Sequence, residues 1–467
     1  MSFKDNFTDK FMEISGRIGS QRHLVAIRDS FIAAMPITMA GSIAVLLNVF
    51  LRDLPTSLGW DSFAAAVAPI VEINGYVNAG TIGVMAMFFA FSLGSNLSES
   101  YGVNSLAGGL ISFASFIVVI PQSLNITTEL TGVDNTIIQA LIQSGFNITE
   151  ADGVSSLATS GSGLSLGYLG ATGLFSALII GMVSTMIYSY LMRKKITIKL
   201  PDSVPPAVSK AFAAIIPGTA AIYVSAIIGF IALQLTGLSL NDLISQYIQL
   251  PLMGLSQGIG SVILLTFLVQ LLWFFGLHGH NVLAPIMDGV YGAALNENTV
   301  VYEATRDIAQ LPWEWTRGSF DAYAQMGGSG ATLGLIIAIL WLSKREEHRT
   351  IAKLSAPMGV FNINEPVIFG MPIVLNPQFA IPWLITPPIL VTIAYLATSW
   401  GLVPPVFLAV PWITPPGIYA FLATGGSFAA GILALFNMFI SFLIYVPFVL
   451  AANKVKVEDA GDFEVAE

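Results

Sequence analysis

Glu365, in the run "FNINEPVIFG" from Phe361 to Gly370, is the only charged residue between Lys353 and Lys454. A carboxylate can accept hydrogen bonds from two neighbouring hydroxyls and can take a proton from one of them. With Asn362 and Asn364 beside it, that is chemistry suited to a polar solute such as a sugar. A second set of polar groups lies in "LLWFFGLHGHNVL", where His278, His280 and Asn281 end a long uncharged run. His278 and Asn281 read as donors to ligand hydroxyls, although a histidine bonded to a backbone carbonyl would look the same. Trp383 follows the Glu365 loop closely and offers an apolar face on which a pyranose ring can stack. The bland alternative for Glu365 is that it caps a half-helix or pairs with a distant arginine. Metal binding would require His278, His280 and a third ligand such as Asp288. The chain has four histidines and no cysteine, so neither a metal nor any other cofactor is expected.

The segments that must position these groups are apolar. Of 467 residues 55% are hydrophobic and 10% charged, and the mean hydropathy is +0.76. A soluble domain carries about 25% charged residues, so lipid is the expected solvent. Uncharged runs recur at lengths that fit a bilayer crossing of about 20 residues. We expect an all-α polytopic membrane protein with about ten transmembrane helices, two re-entrant hairpins and interfacial amphipathic helices. No cleavable signal peptide is visible, so Phe31 to Leu51 should remain as the first span. Residues 3 to 22 place Phe3, Phe7, Phe11, Ile14 and Ile18 at helical steps between charges, which reads as an amphipathic surface helix. The net charge of -9 belongs mainly to loops and tails, and no nucleic-acid partner is inferred from it.

Lysine and arginine set the orientation. Six lie at or before Arg52, five between Arg193 and Lys210, four between Lys344 and Lys353, two near the C-terminus, and none from Asp53 to Met192. Both termini are therefore expected in the cytoplasm, and the Ser- and Thr-rich stretch from 122 to 162 reads as an outer loop. Two regions do not read as plain spans. Residues 278 to 326 carry Asp288, Glu303, Arg306, Asp307, Glu314, Arg317 and Asp321, and residues 354 to 378 are interrupted by four prolines and two glycines. Broken backbone at membrane depth is tolerated where it lines a cavity, and in transporters it builds the substrate site. Most tryptophans are expected at membrane boundaries. No nucleotide-binding glycine loop and no nucleophile elbow is present.

Five motifs in order, "KLPDSVPPAVSKAFAAIIPG", "WFFGLHGHNVL", "GGSGATLGL", "FNINEPVIFGMPIVLNP" and "PWITPPG", resemble the lactose/cellobiose family of bacterial phosphotransferase-system sugar permeases, the enzyme IIC component. The resemblance implies a homodimer in the cell membrane. Residues 1 to 236 would form the scaffold and dimer interface, 237 to 457 the transport domain with its re-entrant segments, and 458 to 467 a cytoplasmic tail. It implies that a β-linked disaccharide binds at His278 and Glu365, with Glu365 near the hydroxyl that is phosphorylated. The donor would be a phosphocysteine on a IIB protein charged from a IIA protein. Because this chain has no cysteine, IIB is expected as a separate partner, without which the chain is not catalytic; cellobiose or diacetylchitobiose is favoured over lactose. The family commonly has a small residue where His280 stands, and the role of His280 is open. Two other readings remain: an ion-coupled secondary sugar transporter with Glu365 as proton carrier, and a membrane-embedded enzyme acting on a lipid-linked substrate.

Overall fold

The computed structural model describes residues 20–454 apart from 131–132, 152–153, 202, 372 and 375, together with Glu13 and Arg17. Most of the expected amphipathic segment at 3 to 22, and all of the tail at 458 to 467, lie outside the described residues. Among the described residues, seven helical segments are long and apolar enough to cross a membrane: Arg22–Ser57, Ala68–Ser100, Ala171–Arg193, Pro206–Thr236, Arg317–Leu342, Gln378–Ser399 and Phe428–Ala452. An eighth is reached if Leu240–Ser256 and Ile259–Phe274, bent by 78° at their junction, count as one span.

The chain divides into two compact units, Val84–Gln246 and Met1–Gly83 with Tyr247–Glu467. This physical division differs from the partition at residue 236 expected on functional grounds. In the Val84–Gln246 unit, helices Met85–Ser100, Ser105–Val118, Leu174–Arg193 and Pro206–Thr236 pack closely. A Cβ on Gly94 would lie 2.3 Å from that of Ser112, and the Ser112 hydroxyl donates to the Ala90 carbonyl at 2.7 Å. Small residues bring backbones together here because lipid gives apolar side chains no reason to cluster.

The same unit corrects the all-helical expectation in one place. Residues 123 to 162 are not an irregular loop: strands β1 (Ser123–Glu129), β2 (Asn147–Ala151) and β3 (Val154–Ser162) form an antiparallel sheet in the order β1-β3-β2. Ser123 pairs with Ser162 and Asn147 with Ala158. Polarity suggested a loop, but Thr, Ile and Val are residues that favour strands.

In the second unit, Asn74 donates to Asn48 at 2.9 Å and ties helix Ala68–Ala79 to Arg22–Asn48. The C-terminal part has a continuous core through Val262, Trp315, Phe320, Leu335, Leu390 and Tyr445. Trp273, Trp315 and Trp383 are buried in it, away from the boundary positions expected of most tryptophans; Trp383 Nε1 finds the Gln270 carbonyl at 3.0 Å, which removes its need for water.

The charged 278 to 326 region is broken, as expected. Helix Gly279–Ile286 passes through a π-turn at Met287–Tyr291 into Gly292–Thr305, and stops at Arg306 in the left-handed conformation. Its half-buried arginine meets opposite charges: Arg317 lies 2.9 Å from Asp288 and 2.8 Å from Asp321. A charge that could not find such a partner would be costly at this depth. The 354 to 378 region is likewise interrupted. Helix Glu346–Val360 ends, the chain turns at 361 to 364, and Glu365–Gly370 runs back so that a Cβ on Gly370 would meet Ile351 at 2.9 Å.

Candidate functional site

The span Arg317–Leu342 is not one helix. Helix Arg317–Ala324 ends at Gln325, and Thr332–Leu342 begins only after a loop in which Gly327, Gly328, Gly330 and Ala331 all have positive φ. Glycine supplies that conformation without steric cost. It also supplies space, because a Cβ on Gly330 would sit 2.4 Å from the Trp383 ring.

Broken backbone away from water needs other partners for its polar groups. Here they are supplied locally and from far along the chain. Thr332 Oγ1 donates to the Gly327 carbonyl at 2.5 Å, and the Ala331 amide to the Gly328 carbonyl at 3.1 Å. Asn364 Nδ2 donates to the Ser329 carbonyl at 2.6 Å. Tyr445 and Ser441, on helix Phe428–Ala452, donate to the carbonyls of Gly330 and Ala331 at 2.7 and 2.8 Å.

The 361 to 364 turn is held against this loop. Asn362 has φ +61°, a conformation that asparagine tolerates better than most residues. Its Oδ1 accepts from the Gly327 amide at 2.9 Å, while Nδ2 donates to the carbonyls of Trp412 and Thr414 at 2.7 and 3.0 Å. Asn364 is buried. Glu365, the first residue of helix Glu365–Gly370, is exposed.

His278 caps the N-terminus of Gly279–Ile286, its Nδ1 accepting from the Asn281 amide at 3.3 Å. Its ring centroid lies 4.4 Å from that of Trp273, and both His278 and Asn281 are exposed. The charges felt by His278 are those of Glu365 and Arg28, so the acid and the imidazole lie within electrostatic reach of one another. His280 points elsewhere. Trp273 Nε1 donates to its Nδ1 at 3.4 Å, the Ser329 hydroxyl lies 3.3 Å from the same nitrogen, and Gln325 lies 2.5 Å from Nε2. Because an indole N–H can only donate, Nδ1 is the acceptor and a neutral ring carries its proton on Nε2. The structure sets the Gln325 amide nitrogen against Nε2, so a ring protonated there requires that amide to be turned over so that its oxygen accepts.

Of the residues singled out from sequence, His278, Asn281 and Glu365 keep exposed polar groups. In this structure Asn362 and Asn364 use their amides to tie the loops together, and Trp383 lies under Gly330. Gln325 and Ser329 were missed. The signal available was a cluster of glycines inside an apolar run, "GGSGATLGL", which marks a discontinuous span. A cavity of about 400 Å³ lies among Arg52, Glu72, Tyr76, Glu303 and Arg306, but its arginines already face Glu303 at 3.8 and 3.7 Å, and neither loop lines it.

Comparison with known proteins identifies the family. The family model described as "Phosphotransferase system, EIIC" matches residues 28–387. The chain is 42% identical to the cellobiose-specific EIIC component of Lactococcus lactis, covering 95% of this chain and 96% of that one. It is 34% identical to the lichenan permease IIC component of Bacillus subtilis, over 98% and 95% of the two chains. The crystal structure of ChbC, the IIC component from the N,N'-diacetylchitobiose-specific phosphotransferase system, superposes with a TM-score of 0.85 at 33% identity, covering 96% of this chain and 98% of that one. This multi-pass membrane protein belongs to the EIIC family of the phosphotransferase system.

Proposed function

We propose that the chain is a permease that takes up a β-linked disaccharide of the cellobiose or diacetylchitobiose type and holds it at His278, Asn281 and Glu365 for phosphorylation at the cytoplasmic face. The observation that carries this reading is that Glu365 and His278, both exposed and each at the start of a short helix after a break, lie within electrostatic reach of one another. The sugar type follows from what the similar proteins are named for, cellobiose and N,N'-diacetylchitobiose.

In the proposed reaction, Glu365 accepts a hydrogen bond from one sugar hydroxyl and orients it. The hydroxyl oxygen attacks phosphorus on the phosphocysteine of a separate IIB protein. The O–P bond forms, the S–P bond breaks, the thiolate leaves on IIB, and the hydroxyl proton passes to Glu365. IIA then recharges IIB. Once Glu365 passes that proton on to water, its carboxylate and the sugar phosphate carry like charges, and their repulsion favours release. Both termini and the Lys344 to Lys353 segment face the cytoplasm in this reading. The chain acts as a homodimer, with residues 1 to 236 as scaffold and 237 to 457 as transport domain.

The test is calorimetric binding of cellobiose, diacetylchitobiose and lactose to purified wild type, Glu365→Gln and His278→Ala, followed by phosphoryl transfer from phosphorylated IIB. We expect one β-disaccharide to bind saturably and both variants to lose that binding. Transfer in Glu365→Gln should fall by about 10² to 10⁴, the range for loss of a general base. Unimpaired transfer in Glu365→Gln would remove the catalytic role, and unchanged binding in both variants would move the site elsewhere. Uptake of unmodified sugar that collapses with an uncoupler and needs no IIB would replace this reading with ion-coupled transport.

A further inference from the structure

Two loops that approach one another without sharing a backbone need something to fix their separation, and the spacing of a bidentate sugar site depends on it. The chain from His278 to Glu365 can be followed through hydrogen bonds. His278 leads through Gly279 to His280, whose Nδ1 lies 3.3 Å from the Ser329 hydroxyl. The Ser329 carbonyl accepts from Asn364 Nδ2 at 2.6 Å, and Asn364 is the neighbour of Glu365. Only two non-covalent links separate the imidazole from the carboxylate by this route.

The elements around these links are tightly seated. A Cβ on Gly279 would lie 2.1 Å from the Val269 carbonyl oxygen, so the backbone between the two histidines rests directly on helix Ile259–Phe274. Gln325, where helix Arg317–Ala324 ends, lies 2.5 Å from the other nitrogen of His280. Ser329 and Asn364 are each 4% exposed, out of reach of a solute that touches exposed His278 and Glu365.

From this connectivity we infer that His280, Ser329 and Asn364 form a strap that sets the distance between His278 and Glu365, so that His280 and Asn364 are positioning residues and not sugar ligands. The inference rests on the proposed site at His278 and Glu365 and gives His280 a role. A strap of this kind governs how well the sugar is gripped at both ends. It has little part in the transfer step, which depends on Glu365 itself and on IIB.

The experiment measures sugar affinity by calorimetry, and kcat and KM for transfer from phosphorylated IIB, in His280→Ala, Asn364→Ala, the double variant and His280→Asn. Each single alanine variant should weaken binding and raise KM about tenfold, the worth of one good hydrogen bond, with kcat within about twofold of wild type. Because both remove the same strap, the double variant should be about tenfold weakened, not about a hundredfold. His280→Asn retains an acceptor near the Nδ1 position and should recover most of the affinity. Ser329→Ala, which removes only a hydroxyl, substitutes for His280→Ala if the latter does not fold. Additive losses, a fall in kcat at unchanged KM, or wild-type affinity in these variants would overturn the strap while leaving the site in place. Wild-type affinity in His278→Ala and Glu365→Gln would overturn the site reading, and the strap with it.

Discussion

Asn362 shows how little a side chain's chemistry says about its use until its backbone is known. Its amide oxygen and nitrogen make three hydrogen bonds to main-chain groups of Gly327, Trp412 and Thr414, and its φ of +61° sets the turn that delivers Glu365. Replacing it with alanine removes the partners of the Gly327 amide and of the Trp412 and Thr414 carbonyls and strains the turn. We expect Asn362→Ala to lower stability by about 1–3 kcal/mol, with Asn362→Asp, which keeps the acceptor for Gly327, falling between; thermal unfolding in detergent measures both. An unchanged midpoint in Asn362→Ala would deny the anchoring role. In sequence, Asn362, Asn364 and Glu365 form one polar tripod in an apolar field, and nothing local separates the acid that faces outward from the amides that face the scaffold. The partners that decide it lie about fifty residues away at Trp412 and thirty-five away at Ser329. For Trp383, the position after the loop was legible, but its burial under Gly330 was not.

At the scale of elements, the break between Ala324 and Thr332 is the feature on which the site is built. Gly330 has φ +75° and no room for a Cβ against Trp383. Gly330→Ala should therefore cost about 1–3 kcal/mol through overpacking alone, with the positive φ adding to it. A lower melting temperature and reduced sugar affinity together are expected; a variant with wild-type values for both would mean the loop has slack that the contacts do not reveal. The break was partly legible, since four glycines and a serine crowd an apolar run at 327 to 334. Its closure was not, because Ser441 and Tyr445 come from a helix more than a hundred residues later and read in sequence as ordinary polar interruptions of a span. The sheet at 123 to 162 was missed because Ser, Thr and Asn signal both loops and solvated strands. Only the pairing of β1 and β2 on either side of β3 resolves the ambiguity.

For the whole molecule, composition and the distribution of basic residues carried most of the argument. That lipid is the solvent follows from 10% charged residues. The proposed orientation follows from lysine and arginine alone, which makes it directly testable in a chain without cysteine. Single cysteines at Ser144 and Glu347, both exposed, should react with an impermeant maleimide from opposite sides of the membrane. We expect Ser144→Cys to label in intact cells and Glu347→Cys only after permeabilisation, and the reverse pattern would invert the topology. The arrangement of compact units was not legible in this way. The grouping of Met1–Gly83 with Tyr247–Glu467 depends on contacts between distant parts of the chain, whereas hydropathy describes each span by itself.

The loop from Gly327 to Ala331 has a thermodynamic consequence as well as a structural one. Every carbonyl in it accepts a hydrogen bond from within the protein. At the site proposed above, a sugar arriving at the neighbouring acid and imidazole would have little backbone to order, and the main loss of freedom on binding would be its own. Recognition of this kind draws on the heat released by its hydroxyl contacts. A substitution that loosens the loop then weakens affinity through entropy, with the enthalpy of those contacts largely preserved.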